Sequence, residues 1–366
     1  MKCKWENSVT LIDDSIINHF CEQKKEYKII YFLGVGFDPR MNNGLNSILS
    51  HCSDKINMDI IFIRYNEGAN SISKKYHKEV KENIAEIECI VGKNIKTIEL
   101  NMRGANEDET RPSPIIMKEI IKKIKKDYIT NYDEIIVDIS AMPQILYFNL
   151  IQYLLSKIND SQNFGIITCE SSGFDDNIKI SGENETANFL CGFDMFSADM
   201  ESNSQDLKVW IPMLGKNASS SLEKIFRFVV PDEICPVLPF PSQNARRCDD
   251  ILLEYREILT NQFSVDRKNL IYASEFDPIQ TYIRLCNTAE YYKKSFSILG
   301  QTKFIFSVES SKLMNLSALL AFLDLKSNDF STGIAIVDNA GYEMNKEAYN
   351  ACNCNLYYVR IQEKLF

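Results

Sequence analysis

Short apolar runs alternate with amphipathic stretches along most of the chain. That alternation is the signature of a parallel sheet with helices on both faces. Residues 1–24 read as a helical lead-in, with Leu11, Ile12, Ile16, Ile17 and Phe20 at helical spacing. The predicted strands that follow are Tyr27–Leu33, Met58–Arg64, Ile95–Leu100, Glu134–Ile139 and Phe164–Cys169. Between them fall a helix carrying Leu45, Ile48 and Leu49, a charged amphipathic helix over Ser73–Val91, a Lys-rich helix over Ile115–Tyr128 and an apolar helix over Ile145–Ile158. Residues 101–114 are polar, carry Arg103 and Arg111, and read as a loop.

Phe174–Asp206 is acidic and rich in Ser, Asn and Gly, the composition of a linker or irregular insertion. The alternation resumes at Trp210. Ser219–Ser221 cap a helix through Phe228, and residues 231–241 hold four prolines, so they are extended and form neither a helix nor a central strand throughout. Helices are predicted over Asp249–Leu259, Ile279–Leu299 and Lys312–Leu325, and strands over Asn269–Ala273, Lys303–Phe306, Gly333–Val337 and Leu356–Ile361. The predicted fold is α/β: a Rossmann-like domain over 1–173, an insertion over 174–209, and a second Rossmann-like domain over 210–366. The sheets are mainly parallel, and the ligand cleft is expected at the carboxyl ends of the strands, shared between the halves.

Composition narrows the function classes. The chain has 366 residues, 45% hydrophobic and 25% charged, enough for two domains with real cores. A net charge of -9 argues against an extended duplex-DNA surface and leaves room for a local basic pocket. No apolar run reaches the roughly 18 residues a membrane span needs, and Met1–Glu6 lacks the apolar core of a signal peptide. Eleven scattered cysteines without a CxxC read as free core thiols in a reducing cytoplasm. Three histidines and no Cys/His cluster argue against zinc. No cofactor is called for, although a carboxylate-bound Mg2+ stays open. The abundance of Lys, Asn and Ile fits an AT-rich bacterial genome.

Candidate chemistry lies where predicted strands end. Gly34-x-Gly36 closes the first strand and lets either a ligand or the protein's own backbone come close. Asp38-Pro39-Arg40 follows, and Arg40 offers a fork to phosphate or carboxylate, or else pairs with Asp38 on the surface. Glu67 follows the second strand. Asp138 and Ser140 open the loop to Pro143, at a helix start that suits anions or serves as a plain cap. In the second half Ser307, Ser310, Ser311 and Lys312 stand at the equivalent place. A shared cleft would bring Arg40 and Lys312 to one cavity. Arg246 and Arg247 read as a salt-bridge pair or a phosphate clamp, with Asp249 and Asp250 beside them. Glu275 and Asp277 read as a divalent-ion or acid–base pair, with Asp277 before Pro278 also a plain N-cap.

Two resemblances attach to these stretches. Gly34-x-Gly36-x-Asp38 resembles the first motif of class I methyltransferases, which implies S-adenosylmethionine at Gly34–Asp38 and Glu67. Ser140-Ala141-Met142-Pro143 and Ser310-Ser311-Lys312 resemble the ligand loop of CARF domains, whose usual Thr-Gly-Gly-Thr-Lys is replaced here. That likeness implies a nucleotide-type ligand and a bacterial antiviral-defence context. The leading expectation is a cytoplasmic sensor of a nucleotide or other phosphorylated small molecule, with a partner effector protein and oligomer formation both open. The alternatives are a methyltransferase and a metal-dependent phosphoesterase or nuclease using Glu275 and Asp277.

Overall fold

The computed structural model describes residues 2–24, 26–53, 55–66, 71–92, 95–102, 115–176, 178–195, 206–339, 341–344 and 353–363. The chain divides into two compact units. One holds Asn7–Ser181 and Ala340–Phe366, the other Met1–Glu6 and Gly182–Asn339.

In the first unit the elements in chain order are β1 (Val9–Ile12), α1 (Asp14–Cys21), β2 (Tyr27–Gly34), α2 (Asn43–Cys52), β3 (Ile56–Asn66), α3 (His77–Val91), β4 (Lys96–Asn101), α4 (Ile115–Lys123), β5 (Glu134–Asp138), α5 (Gln144–Leu155), β6 (Asn163–Glu170), α6 (Ser172–Asp175) and β7 (Lys179–Ser181). Counted from β2, the strand order β4-β3-β2-β5-β6 is 3-2-1-4-5, all parallel. This is the doubly wound Rossmann-like arrangement, with its switch point between β2 and β5. Ile29 to Leu33 are wholly buried because helices cover both faces, which explains an unbroken apolar run in place of alternation. The apolar helix α5 is likewise buried nearly all round, whereas α3 buries only Asn83 and Ile87 fully.

The second unit contributes β8 (Asn188–Phe189), β9 (Leu207–Leu214), α7 (Ser219–Val229), β10 (Glu233–Ile234), β11 (Val237–Pro239), α8 (Arg247–Glu254), β12 (Ile271–Ala273), α9 (Pro278–Phe296), β13 (Thr302–Glu309), α10 (Lys312–Ser327) and β14 (Ser331–Ile336). Its parallel strands run β12-β11-β9-β13-β14, again 3-2-1-4-5 counted from β9, with β8 antiparallel on the β14 edge. Two more strands, β15 (Gly341–Glu343) and β16 (Asn355–Ile361), return to the first unit.

Several expectations change at this level. The strand predicted to close the second half, β16, pairs antiparallel with β6, and β1 pairs antiparallel with β16. Leu11 and Ile12 therefore lie in an edge strand, and only Asp14–Cys21 of the lead-in is helical. The span expected as an insertion is divided: β7 pairs with β15 in the first unit, and β8 pairs with β14 in the second. The proline-rich segment does enter the middle of a sheet, as β10 and β11 separated by Cys235-Pro236. Short length is the reason: the pieces are two and three residues long, Pro236 falls between them, and Pro239 comes only at the last position of β11. Cys21 and Cys52 form a disulfide, with Cα atoms 5.2 Å apart, against the expectation that every thiol is free. They meet because α1 and α2 pack together, which their 31-residue separation conceals. No helix among the described residues is long and apolar enough to cross a membrane.

Candidate functional site

The switch point of the first unit gathers most of the candidate residues. After Gly34 the chain turns, and Asp38 fixes the turn by accepting from the Arg40 backbone N–H at 2.9 Å. The same carboxylate takes the Arg40 side chain in a fork, Nε to Oδ1 at 3.0 Å and Nη2 to Oδ2 at 2.7 Å. Nη1 donates to Asp175 Oδ1 at 2.7 Å, and the guanidinium lies 4.8 Å above the Phe174 ring. Arg40 is only 2% exposed, so this is a buried ion cluster and not a surface pair. Its fork faces carboxylates of its own unit. Asn83 Nδ2 holds the loop from below, donating to the carbonyls of Gly36 at 3.0 Å and Asp38 at 3.2 Å.

The loop after β5 closes against the glycine loop. Asp138 is wholly buried. Its Oδ1 accepts from the Ser140 N–H at 2.9 Å and its Oδ2 from the Tyr31 hydroxyl at 2.6 Å. Ser140 Oγ accepts from the Cys169 N–H at 3.0 Å, tying the loop to β6. A Cβ on Gly34 would stand 2.2 Å from Met142 Cγ, and one on Gly36 3.1 Å from the Ala141 carbonyl oxygen. Both glycines thus have a packing reason in the protein itself. The Tyr65 hydroxyl at the end of β3 donates to the same Ala141 oxygen at 3.2 Å. Glu67 lies outside the described residues. At the end of β6, Glu170 is 7% exposed and accepts from Thr168 Oγ1 at 3.0 Å. The edge therefore sets the carboxyl groups of Asp38, Asp175 and Glu170 about the Arg40 guanidinium, with the buried Asp138 carboxyl at the end of β5, a formally acidic set.

In the second unit the equivalent edge lies between β9 and β13. Ser307 is buried and its Oγ accepts from Trp210 Nε1 at 3.1 Å, which makes it core. Ser310 Oγ donates to the Leu214 carbonyl at 3.1 Å, joining the two strand ends. Ser311 caps α10, its Oγ accepting from the Met314 N–H at 3.4 Å, and Lys312 stands in a first turn that has no acidic residue. Burial, with Glu183 adding, pushes the Glu309 carboxyl up to about 7. Glu183 accepts from Ser221 Oγ at 2.7 Å and pairs with Lys224 at 3.0 Å.

Two clusters that the sequence separates come together in this unit. Arg247 Nε and Glu275 Oε1 form an ion pair at 2.9 Å, with side chains 3% and 7% exposed. Asp277 is the N-cap of α9, accepting from the N–H groups of Ile279 at 3.1 Å and Gln280 at 3.0 Å. Glu275 is thus engaged by a buried cation and Asp277 by a helix start, a different use from a shared divalent ion. Sequence reasoning does not single out Asp175, which falls in a stretch with insertion-like composition.

No family profile matches the chain, and no curated protein matches it. Among solved structures it is similar to a coclaurine N-methyltransferase bound to N-methylheliamine and SAH, at 9% identity over 96% of this chain and 72% of that one, with a TM-score of 0.22. It is also similar to M. capricolum TrmK in complex with S-adenosyl-homocysteine, at 14% identity over 46% and 60%, with a TM-score of 0.20. The Rossmann-like fold rests on the chain's own strand order.

Proposed function

We propose that the first unit binds a nucleoside-type small molecule over the carboxyl ends of β2, β3 and β5, and that S-adenosylmethionine is the ligand that suits this edge best. The observation that carries the reading is the charge balance. Arg40 is neutralised by Asp38 and Asp175, and Asp138 and Glu170 add carboxyl groups at the same edge. Such a field repels phosphate and favours a ligand carrying cationic and hydroxyl groups. A sulfonium, an α-ammonium and ribose hydroxyls meet that description. Glu67, the next residue in the sequence after β3, is the kind of carboxylate that Rossmann-like folds use for ribose hydroxyls. Methyl transfer is the reaction this ligand would serve, and the cytoplasm the setting.

Calorimetry on the full chain tests the proposal, with S-adenosylmethionine and S-adenosylhomocysteine set against ATP and cyclic nucleotides at one ionic strength. Saturable heat with the first pair and none with the phosphorylated ligands is expected. The reverse pattern removes the proposal.

A second reading keeps a phosphate-bearing ligand, placed at the second unit. Its supporting observation is Lys312 in the first turn of α10, where the helix dipole already favours an anion. The CARF-like sensor role, with its bacterial defence context and a partner effector, belongs to this reading. A Lys312→Ala variant that loses thermal stabilisation by a cyclic nucleotide would favour it.

A further inference from the structure

Cys169 is the penultimate residue of β6, and Cys354 immediately precedes β16. The antiparallel register sets Leu356 opposite Cys169 and Asn355 opposite Glu170, which leaves Cys354 one step beyond the ladder. Side chains alternate along a strand, so Cys354 and Leu356 point to the same face as Cys169. All three belong to one core cluster. The two thiols hydrogen-bond to each other, Ser171 also bonds to Cys354, and the Arg40 charge acts on both sulfurs. Asn43 Nδ2 approaches Cys169 Sγ at 3.2 Å. Cys169 is 2% exposed, whereas Cys354 is half-buried and so reachable by a small solute.

We propose that Cys354 and Cys169 form a reversible thiol-oxidation site in which a peroxide-class oxidant attacks through Cys354 and Cys169 resolves the product. The Cys354 thiolate displaces hydroxide from the peroxide O–O bond, forming the S–O bond of a sulfenic acid. The oxidant is reduced and the sulfur gives up two electrons. The Cys169 thiol then attacks that sulfur, the S–O bond breaks, water leaves with the thiol proton, and a disulfide remains. A small dithiol reverses the step.

The division of labour follows from the surroundings. The Cys169 hydrogen bond, helped by the Arg40 charge, pulls the Cys354 thiol down to about 7 against its partial burial. The hydrogen bond that Cys169 donates to Cys354, together with burial, pushes Cys169 the other way, so Cys169 stays the protonated partner. Diagonal positions across an antiparallel pair have Cα atoms about 7–8 Å apart, just beyond a relaxed disulfide. Cys354 lies outside the ladder, so it can shift toward Cys169 without breaking a rung.

The test treats the reduced full-length chain with hydrogen peroxide and maps peptides by mass spectrometry. A Cys169–Cys354 cross-linked peptide that dithiothreitol removes is expected. Cys354→Ser should abolish the peptide and leave Cys169 unmodified. Cys169→Ser should instead accumulate a dimedone adduct on Cys354, with Cys169→Ala as a second variant and circular dichroism confirming the fold of each. With limiting iodoacetamide at neutral pH, Cys354 should react about fivefold faster than the exposed Cys89, which serves as an internal reference. A folded chain that yields no cross-linked peptide, or in which Cys354 reacts more slowly than Cys89, overturns the proposal.

Discussion

Glu134 should make the stability of the first unit fall as pH rises through the neutral range. It opens β5 at the amino ends of the parallel strands, away from the candidate site, and is wholly buried. Burial pushes its carboxyl up to about 7 from an ordinary value of 4.5, although hydrogen bonds from Tyr358 and Tyr27 and the charge of Arg360 oppose the shift. Asn163 backs this network, donating to the Tyr27 hydroxyl at 2.7 Å and accepting from Arg360 at 2.6 Å. Between those two pH values the folded chain holds a proton that the unfolded chain has released. Stability is therefore complete below the unfolded value and is lost as pH rises to the folded one. At about 1.4 kcal/mol per pH unit, that interval is worth about 3 kcal/mol. The perturbation is Glu134→Gln, which keeps an acceptor for Tyr358 but cannot ionise. Urea denaturation from pH 5 to 8 should be followed by hydrogen exchange in β5 and β16 peptides. Trp5 and Trp210 both lie in the second unit, where Glu309 titrates in the same direction, so tryptophan fluorescence reads the wrong unit. The wild type should lose about 3 kcal/mol in the β5 peptides across this range and the variant little. Equal slopes in the two proteins would refute the reasoning.

Two further predictions concern packing and pairing. Gly34→Ala should destabilise the first unit by about 1–3 kcal/mol through overpacking against Met142, and Met142→Ala in the same chain should recover part of the loss, both read by thermal denaturation. Arg247→Ala should cost about 3–5 kcal/mol by stranding buried Glu275, visible in tryptophan fluorescence of the second unit, with no dependence on added Mg2+; a restoring effect of Mg2+ would instead return Glu275 to metal binding.

The alternation of apolar runs and amphipathic stretches was enough to read two Rossmann-like units, because strands buried on both faces carry unbroken apolar sequence, as Ile29–Leu33 does. It could not assign β16. Leu356–Ile361 looks like any buried strand, and its partner is selected by long-range register with β6, which leaves no local mark. The candidate site was legible to the same degree. Strand ends pointed to Gly34, Asp38, Arg40, Asp138 and Ser140, and these do assemble at one edge. Their partners were hidden: Asp175 lies 135 positions from Arg40, and Met142 fills the space that Gly34 leaves open. Arg247 and Glu275 were each visible as charged residues near helix starts, and nothing in either stretch announced that they pair.

The central claim is that a small molecule occupies the carboxyl edge of the first unit at the β2/β5 switch point. Hydrogen exchange of the full chain with and without saturating S-adenosylhomocysteine tests it most directly. Slowed exchange is expected in peptides spanning Gly34–Asn43 and Asp138–Gln144, with the strand ends of β9 and β13 unchanged. Protection confined to Ser310–Asn315, or no protection despite saturating ligand, would contradict the claim.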